Sequence, residues 1–119
     1  MNMIKWLTTI AIALSTSIFA NAQEAQCREI AQREYPGDRQ MQDYIYKQQI
    51  TAARYMASVS DHDVKQIALR EYPEDYSMQK YTYDQQSSAK RYMSSVTDSE
   101  LKGIALREYP SDYSMQKYT

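Results

Sequence analysis

The stretch IALREYPEDYSMQKYT occupies residues 67–82 and recurs as IALREYPSDYSMQKYT at 104–119, with Ser111 in the place of Glu74 as the one change. Working outward from it, residues 30–66 align without a gap on 67–103 and share 21 of 37 positions. A fixed period of this length decides an architecture before any single helix is assigned. The chain therefore reads as units 30–66 and 67–103 followed by a truncated unit 104–119, with 23–29 starting the first short helix. The last two copies are almost identical, so the more diverged first pair is the better guide to what the fold requires.

Within a unit, Val64, Ile67, Ala68 and Tyr72 fall at helical spacing and predict a short amphipathic helix from Asp61 to Tyr72. Ser60 and Thr97 are the expected N-caps, with Asp63 and Glu100 three residues on. Asp61 with Lys65, and Asp98 with Lys102, are spaced for i,i+4 pairs. Pro73 and Pro110 exclude the helical conformation from the Tyr before them and end the helix there. A longer helix is predicted from near Asp75 to about Ser95, with Met78, Tyr81, Gln85, Ala89, Tyr92, Met93 and Val96 on its core face. Tyr44 and Tyr55 take the corresponding places one unit earlier, and Gln48 and Gln85 are the expected partners for buried tyrosine hydroxyls.

The expected fold class is all-α: helix-hairpin repeats of 37 residues, each a short helix, a Pro turn and a long helix, stacked as a small solenoid-like array. Stacking follows because neither helix can bury its apolar stripe alone. Leu69 and Leu106 stand where the first copy has Gln32, and Tyr76 and Tyr113 where it has Arg39. That substitution of polar for apolar residues is the pattern of a solvent-facing N-terminal capping unit. The truncated third unit leaves one side of its short helix open, an expected surface for a partner or for head-to-tail self-association.

Residues 1–22 read as a signal peptide: Lys5 supplies the positive start, residues 6–20 are apolar or small, and Ala20-Asn21-Ala22 is a small-x-small cleavage site. The apolar stretch is too short and too rich in Ser and Thr for a spanning helix, so no stable membrane anchor is expected after cleavage. Export across a bacterial-type inner membrane, to the periplasm or outside, is the expected destination. Cleavage removes Trp6 and Phe19, so every aromatic residue of the 23–119 repeat domain is one of its twelve tyrosines. The remaining charge is slightly acidic, which argues against nucleic-acid binding, since that needs a basic surface to displace phosphate counterions.

Each chemically suggestive residue has a structural use. Cys27, the one cysteine, aligns with Val64 and Leu101 on the apolar stripe, so packing is its first expected role and an interchain disulfide its second. His62 beside Asp61 and Asp63 offers carboxylates that diverge around a helix, whereas a metal needs converging ligands. Met41, Met78 and Met115, with Met56 and Met93, recur at core positions and read as packing. Arg-Glu-Tyr-Pro at 33–36, 70–73 and 107–110 reads as helix end, turn and an inter-unit salt bridge, because adjacent Arg and Glu do not face each other on a helix. Tyr46, Tyr76, Tyr83 and Tyr113, with Leu106, make the candidate interaction surface, either as the next inter-unit contact or as an exposed strip. With no nucleophile–base pair, phosphate loop or ligand set in view, the expected function is non-enzymatic and needs no cofactor. The expected role is an interaction or structural module binding protein or envelope material. The alternative is a small-ligand or metal-binding protein using a Tyr/Met-lined groove between units.

Overall fold

The computed structural model describes residues 21–119, and everything regular among them is helix. Helix α1 covers 21–34, followed by α2 (Arg39–Ser58), α3 (His62–Glu71), α4 (Tyr76–Ser95), α5 (Ser99–Glu108) and α6 (Tyr113–Tyr118). The expected all-α class is what the chain adopts. Apart from residues 21 and 22, which belong to α1, the expected signal peptide lies outside the described residues. Two compact units divide the chain within α2, at Ile50 and Thr51.

The helix ends follow from the sequence of each turn. Tyr72 and Tyr109, each before a proline, have left the helical region, at φ −132° with ψ 76° and 70°. Their amides still reach back to the carbonyls of Ala68 and Ala105, both at 3.0 Å. Their own carbonyls are out of the helix and would be orphaned on burial. A glutamine seven residues further on answers each: Gln79 Nε2 donates to Tyr72 O at 2.7 Å and Gln116 Nε2 to Tyr109 O at 2.5 Å. Gln42 makes the same bond to Tyr35 O at 2.7 Å in the N-terminal unit. There the turn holds Gly37 at φ 80°, a conformation that costs glycine nothing for want of a Cβ.

Aspartate caps every helix from α3 to α6, through Asp61, Asp75, Asp98 and Asp112. The caps of the short helices therefore fall one residue later than the expected Ser60 and Thr97. Asp61 Oδ1 accepts the amide of Val64 at 3.1 Å, and Asp98 Oδ1 accepts those of Glu100 and Leu101. A carboxylate adds favourable charge at the positive end of the helix, which a hydroxyl does not. The expected Asp61–Lys65 pair is also displaced, because the Asp61 carboxylate meets Lys90 of α4 at 2.9 Å instead.

In the C-terminal unit, α4 packs against α3 on one side and α6 on the other, and α5 packs against α6. The centre holds Met56 at the end of α2, Val64 and Ala68 of α3, and Tyr83 of α4, with Tyr55, Val59 and Tyr113 against them. The short-helix stripe is as expected, with Val64, Ile67 and Ala68 buried. The α4 stripe is as expected at Ala89 and Met93 but not at Tyr81, Gln85 and Tyr92. Gln79, Thr82, Tyr83, Gln86, Ala89 and Met93 are buried, while Tyr81 and Tyr92 are 56% and 48% exposed and Gln85 is also outside. Tyr44, the earlier counterpart of Tyr81, is likewise exposed. The expected hydroxyl partnerships do form, Gln48 to Tyr44 at 2.8 Å and Gln85 to Tyr81 at 2.7 Å, but on the outer face. Among the methionines Met56 and Met93 are buried as expected, Met41 and Met78 are half-buried, and Met115 is exposed.

The rotation has a cause in hydrogen bonding. The first turn of α6 lies against α4, and its amides need acceptors that solvent does not supply. Gln86 Oε1 takes the amides of Tyr113 at 2.9 Å and Ser114 at 3.2 Å, while its Nε2 donates to the capping carboxylate of Asp112 at 3.0 Å. A single carboxamide thus completes the N-terminus of the next helix. Replacing Gln86 with Ala should lower unfolding stability by about 1–3 kcal/mol, the usual loss when buried partners are orphaned. The adjacent Gln85→Ala, which removes only a solvent-side bond to Tyr81, should change it by less than about 0.5 kcal/mol. Urea denaturation of the two variants checks this, and equal losses would mean that Gln86 does not hold α6.

Candidate interaction surface

Two polar clusters fasten α4, one to the end of α2 and the other to the cap of α3 and to α6. In the first, the Tyr55 hydroxyl donates a very short hydrogen bond to Asp84 Oδ1, and Lys80 Nζ lies 3.1 Å from Asp84 Oδ2. The same ammonium stands 4.7 Å from the centre of the Tyr55 ring, within range of a cation–π contact. In the second, Lys90 Nζ bonds the Asp61 carboxylate at 2.9 Å and lies 5.4 Å from the Tyr113 ring centre, while the Asp61 amide donates to the Tyr83 hydroxyl at 3.3 Å. Lys90 holds the Asp61 carboxyl below the usual carboxylate range, helped by the Val64 amide, and Asp61 in turn raises Lys90. Both side chains of the pair remain about a third exposed, so the contact orients α3 against α4 more than it stabilises them.

The predicted surface residues scatter. Tyr46 is half-buried in the N-terminal unit, where Arg28 of α1 places its guanidinium 4.7 Å from the ring centre. Tyr76 is half-buried at the start of α4. Tyr113 is half-buried between Lys90 and the apolar centre. Tyr83 takes the inter-unit alternative and not the exposed one: it is 8% exposed and packed edge-on to Tyr55, one repeat earlier in sequence, with ring centres 6.1 Å apart. Its position opposite Tyr81 on the helix is what turns it inward once Gln86 and Ala89 face α6. Leu106 does lie outside, at 43%. Cys27 is wholly buried, and burial, with Glu24 adding, pushes its thiol up to about 11. An interchain disulfide would need α1 to open first.

Sequence reasoning placed Tyr81, Tyr92, Leu101 and Met115 on core positions and gave Tyr118 no role, and the structure corrects each. Tyr81, Tyr92, Leu101, Met115 and Tyr118 are all open to solvent, Leu101 at 60% and Tyr118 at 80%. Tyr81 and Tyr118 border a groove of about 380 Å³ between α4 and α6, floored by Ala89 and edged by Asp84, Gln85 and Lys117. Lys117 also stands 5.1 Å from the Tyr92 ring centre, repeating the Lys80–Tyr55 contact 37 residues on. The signal that could have found this set was the core-facing run of Gln79, Thr82 and Gln86, whose burial forces Tyr81 and Tyr92 outward.

No group of three or more His, Cys, Asp or Glu side chains is placed to hold a metal ion among the described residues. The Arg-Glu-Tyr-Pro segments act as helix ends, and Arg33, Arg70 and Arg107 take no part in an ion pair among those residues, so the expected inter-unit salt bridge is not theirs. No helix among them is long and apolar enough to cross a membrane. The regular structure of the described residues is thus all helical, with Tyr81, Tyr92 and Tyr118 exposed in the C-terminal unit. Compared with models of protein families, with curated proteins and with solved structures, the chain matches none.

The first cluster has a pH signature. Hydrogen bonding to Asp84, then burial, raises the Tyr55 phenol from 10.0 to about 12. The folded chain therefore holds this proton more tightly than the unfolded one, so the contact stabilises fully below 10 and is lost as pH rises through about 12. In a titration followed by phenolate absorbance, Tyr55 should be the last tyrosine to ionise, and Asp84→Asn should bring that last step down toward the ordinary value. An unchanged last step would separate Tyr55 from Asp84 in solution.

Proposed function

We propose that the chain is a non-enzymatic interaction or structural module of the cell envelope, exported by its first 22 residues and built as a small solenoid-like array of helix hairpins. The array reading is supported by contacts that recur at the 37-residue spacing: the Gln79 and Gln116 bonds to turn carbonyls, the Asp75 and Asp112 caps, and the lysine–tyrosine contacts Lys80–Tyr55 and Lys117–Tyr92. The glutamine bonds and aspartate caps repeat within each unit, and the lysine–tyrosine contacts join one unit to the next, which is how stacked repeats propagate.

The observation that carries the interaction reading is the exposed Tyr81, Tyr92, Leu101 and Tyr118 on one small unit. Tyrosine offers a rigid apolar ring with a polar tip and is favoured where proteins meet. Immobilised protein should retain a defined envelope component that a Tyr81→Ser/Tyr118→Ser variant does not. Retention unchanged by that double substitution would place any binding elsewhere. For export, the protein produced with its first 22 residues in a bacterium should be recovered outside the cytoplasm beginning at Gln23. Recovery only in the cytoplasm, beginning at Met1, would remove the envelope from the proposal.

A further inference from the structure

The outer face of the long helix carries a pair of side chains that the fold does not need. Tyr44 and Tyr81, both well inside 20-residue helices, are 55% and 56% exposed, so the outward turn of this position belongs to the repeat itself. Each hydroxyl accepts from the glutamine four residues on, Gln48 at 2.8 Å and Gln85 at 2.7 Å. Around the pair the charges change sign between the two copies, Asp43 and Lys47 giving way to Lys80 and Asp84. The tyrosine and the glutamine stay. Both glutamines are exposed as well, so packing does not explain why the pair is kept.

In chemical terms the pair is a ring face with polar edges. Because the carboxamide occupies the phenolic oxygen as donor, the phenolic proton is turned outward, and Gln85 Oε1 is left to accept with no partner among the described residues. The groove of about 380 Å³ beside Tyr81 falls within the size range of small-molecule sites, about 300–1,000 Å³. From α6 it is faced by the Ser114 hydroxyl, which has no partner among the described residues, and by the Lys117 ammonium, which makes no ion pair among them. Ser88 adds a hydroxyl whose oxygen takes Arg91 and whose proton has no acceptor among those residues. Such a groove suits neither an amphipathic helix, which needs a broad apolar channel, nor an added strand, which needs a sheet edge. It suits a molecule with a flat apolar face and a fringe of groups that both donate and accept.

We propose that the Tyr81 groove binds a β-1,4-linked chain of N-acetylhexosamine units. A pyranose with equatorial substituents presents a flat face of C–H bonds, whose slight positive charge meets the negative face of a tyrosine ring. The β-1,4 linkage keeps successive rings in a ribbon, so one unit stacks on Tyr81 while its neighbours run along the groove. The Tyr81 and Ser88 hydroxyls donate to sugar oxygens. The acetamido group needs an acceptor and a donor together: Gln85 Oε1 is the acceptor for its N–H, and the Ser114 hydroxyl and Lys117 ammonium are the donors for its carbonyl. The inference rests on the envelope reading above and deepens it by naming the class of material held.

The test is titration of tetra-N-acetylchitotetraose into the purified, isotope-labelled protein, followed by amide chemical shifts. Saturable shifts are expected at Gln85, Ala89 and Ser114. Tyr81→Ala should weaken binding about tenfold or more, since it removes the stacked ring. Tyr81→Phe, which keeps the ring and loses the hydroxyl, should weaken it less. Gln85→Ala should narrow the preference for the acetylated chain over cellotetraose, which is the same ribbon without acetamido groups. Circular dichroism of all three variants should match the parent, because both positions are exposed. No saturable binding, or binding indifferent to Tyr81→Ala, overturns the proposal. Equal binding of cellotetraose overturns the assignment to N-acetylhexosamine. Saturation by a decaproline peptide in place of the sugar overturns it too, because the face is then one for extended peptides. If envelope capture depends on Tyr81 and Tyr118 while the sugar fails to bind, this inference alone falls; if the sugar binds and no envelope component is captured, the groove stands and the envelope reading falls.

Discussion

The C-terminal unit depends on buried glutamine side chains closing backbone groups that helix ends leave open. Each hairpin has a tyrosine carbonyl turned out by the following proline and, in the next turn, a helix N-terminus with unpaired amides. Gln79 and Gln116 take the carbonyls. Gln86 takes the amides of α6 together with its capping aspartate. In all three the carboxamide donates without carrying charge into the interior, and Gln86 is donor and acceptor at once, whereas Oε1 of Gln79 and of Gln116 is buried without a partner among the described residues. A carboxylate at Gln79 would set two acceptors against each other, and an aliphatic residue would leave the Tyr72 carbonyl dry.

Such a core is sparing of apolar mass. Its hydrocarbon comes from alanines, two methionines, a few aliphatic residues and the ring of Tyr83, with Gln79, Thr82, Gln86 and Gln116 buried beside them. Close approach of helices over alanine makes the hydrogen bonds reachable, and the hydrogen bonds make burial of those amides tolerable. The remaining tyrosines then act at the rim, where Lys80 and Lys90 lie over the rings of Tyr55 and Tyr113 while their ammonium groups bond Asp84 and Asp61. One lysine thus engages an aromatic face and a carboxylate on different helices, which fixes orientation at sites too exposed to contribute much stability.

The same economy accounts for the outer face. A helix whose inner stripe is half polar has apolar residues left over, and in α4 these are Tyr81 and Tyr92. Around α5 the only buried residue is Ala105, so Leu101 and Leu106 stay outside as well. The proposed interaction role draws on these residues, and they are exposed for a reason internal to the fold: the positions facing inward are taken by the groups that complete helix ends.

Much of this was legible from residue order alone. The 37-residue period, the breaks at Pro73 and Pro110, a long helix from beside Asp75 to Ser95 and the apolar stripe of Val64, Ile67 and Ala68 all follow from local chemistry, because turns, caps and helical spacing depend on near neighbours. Which face of α4 turns inward was not legible. Periodicity ranks side chains by hydropathy, and by that measure Tyr81 and Tyr92 belong inside and Gln79 and Gln86 outside. The tertiary structure reversed the ranking, since Gln86 faces the amides of α6, 27 residues away in sequence, and an unpaired buried amide outweighs the gain from burying another ring. Sequence by itself determined the helices and their ends; only packing decided that glutamine, and not tyrosine, would hold them together.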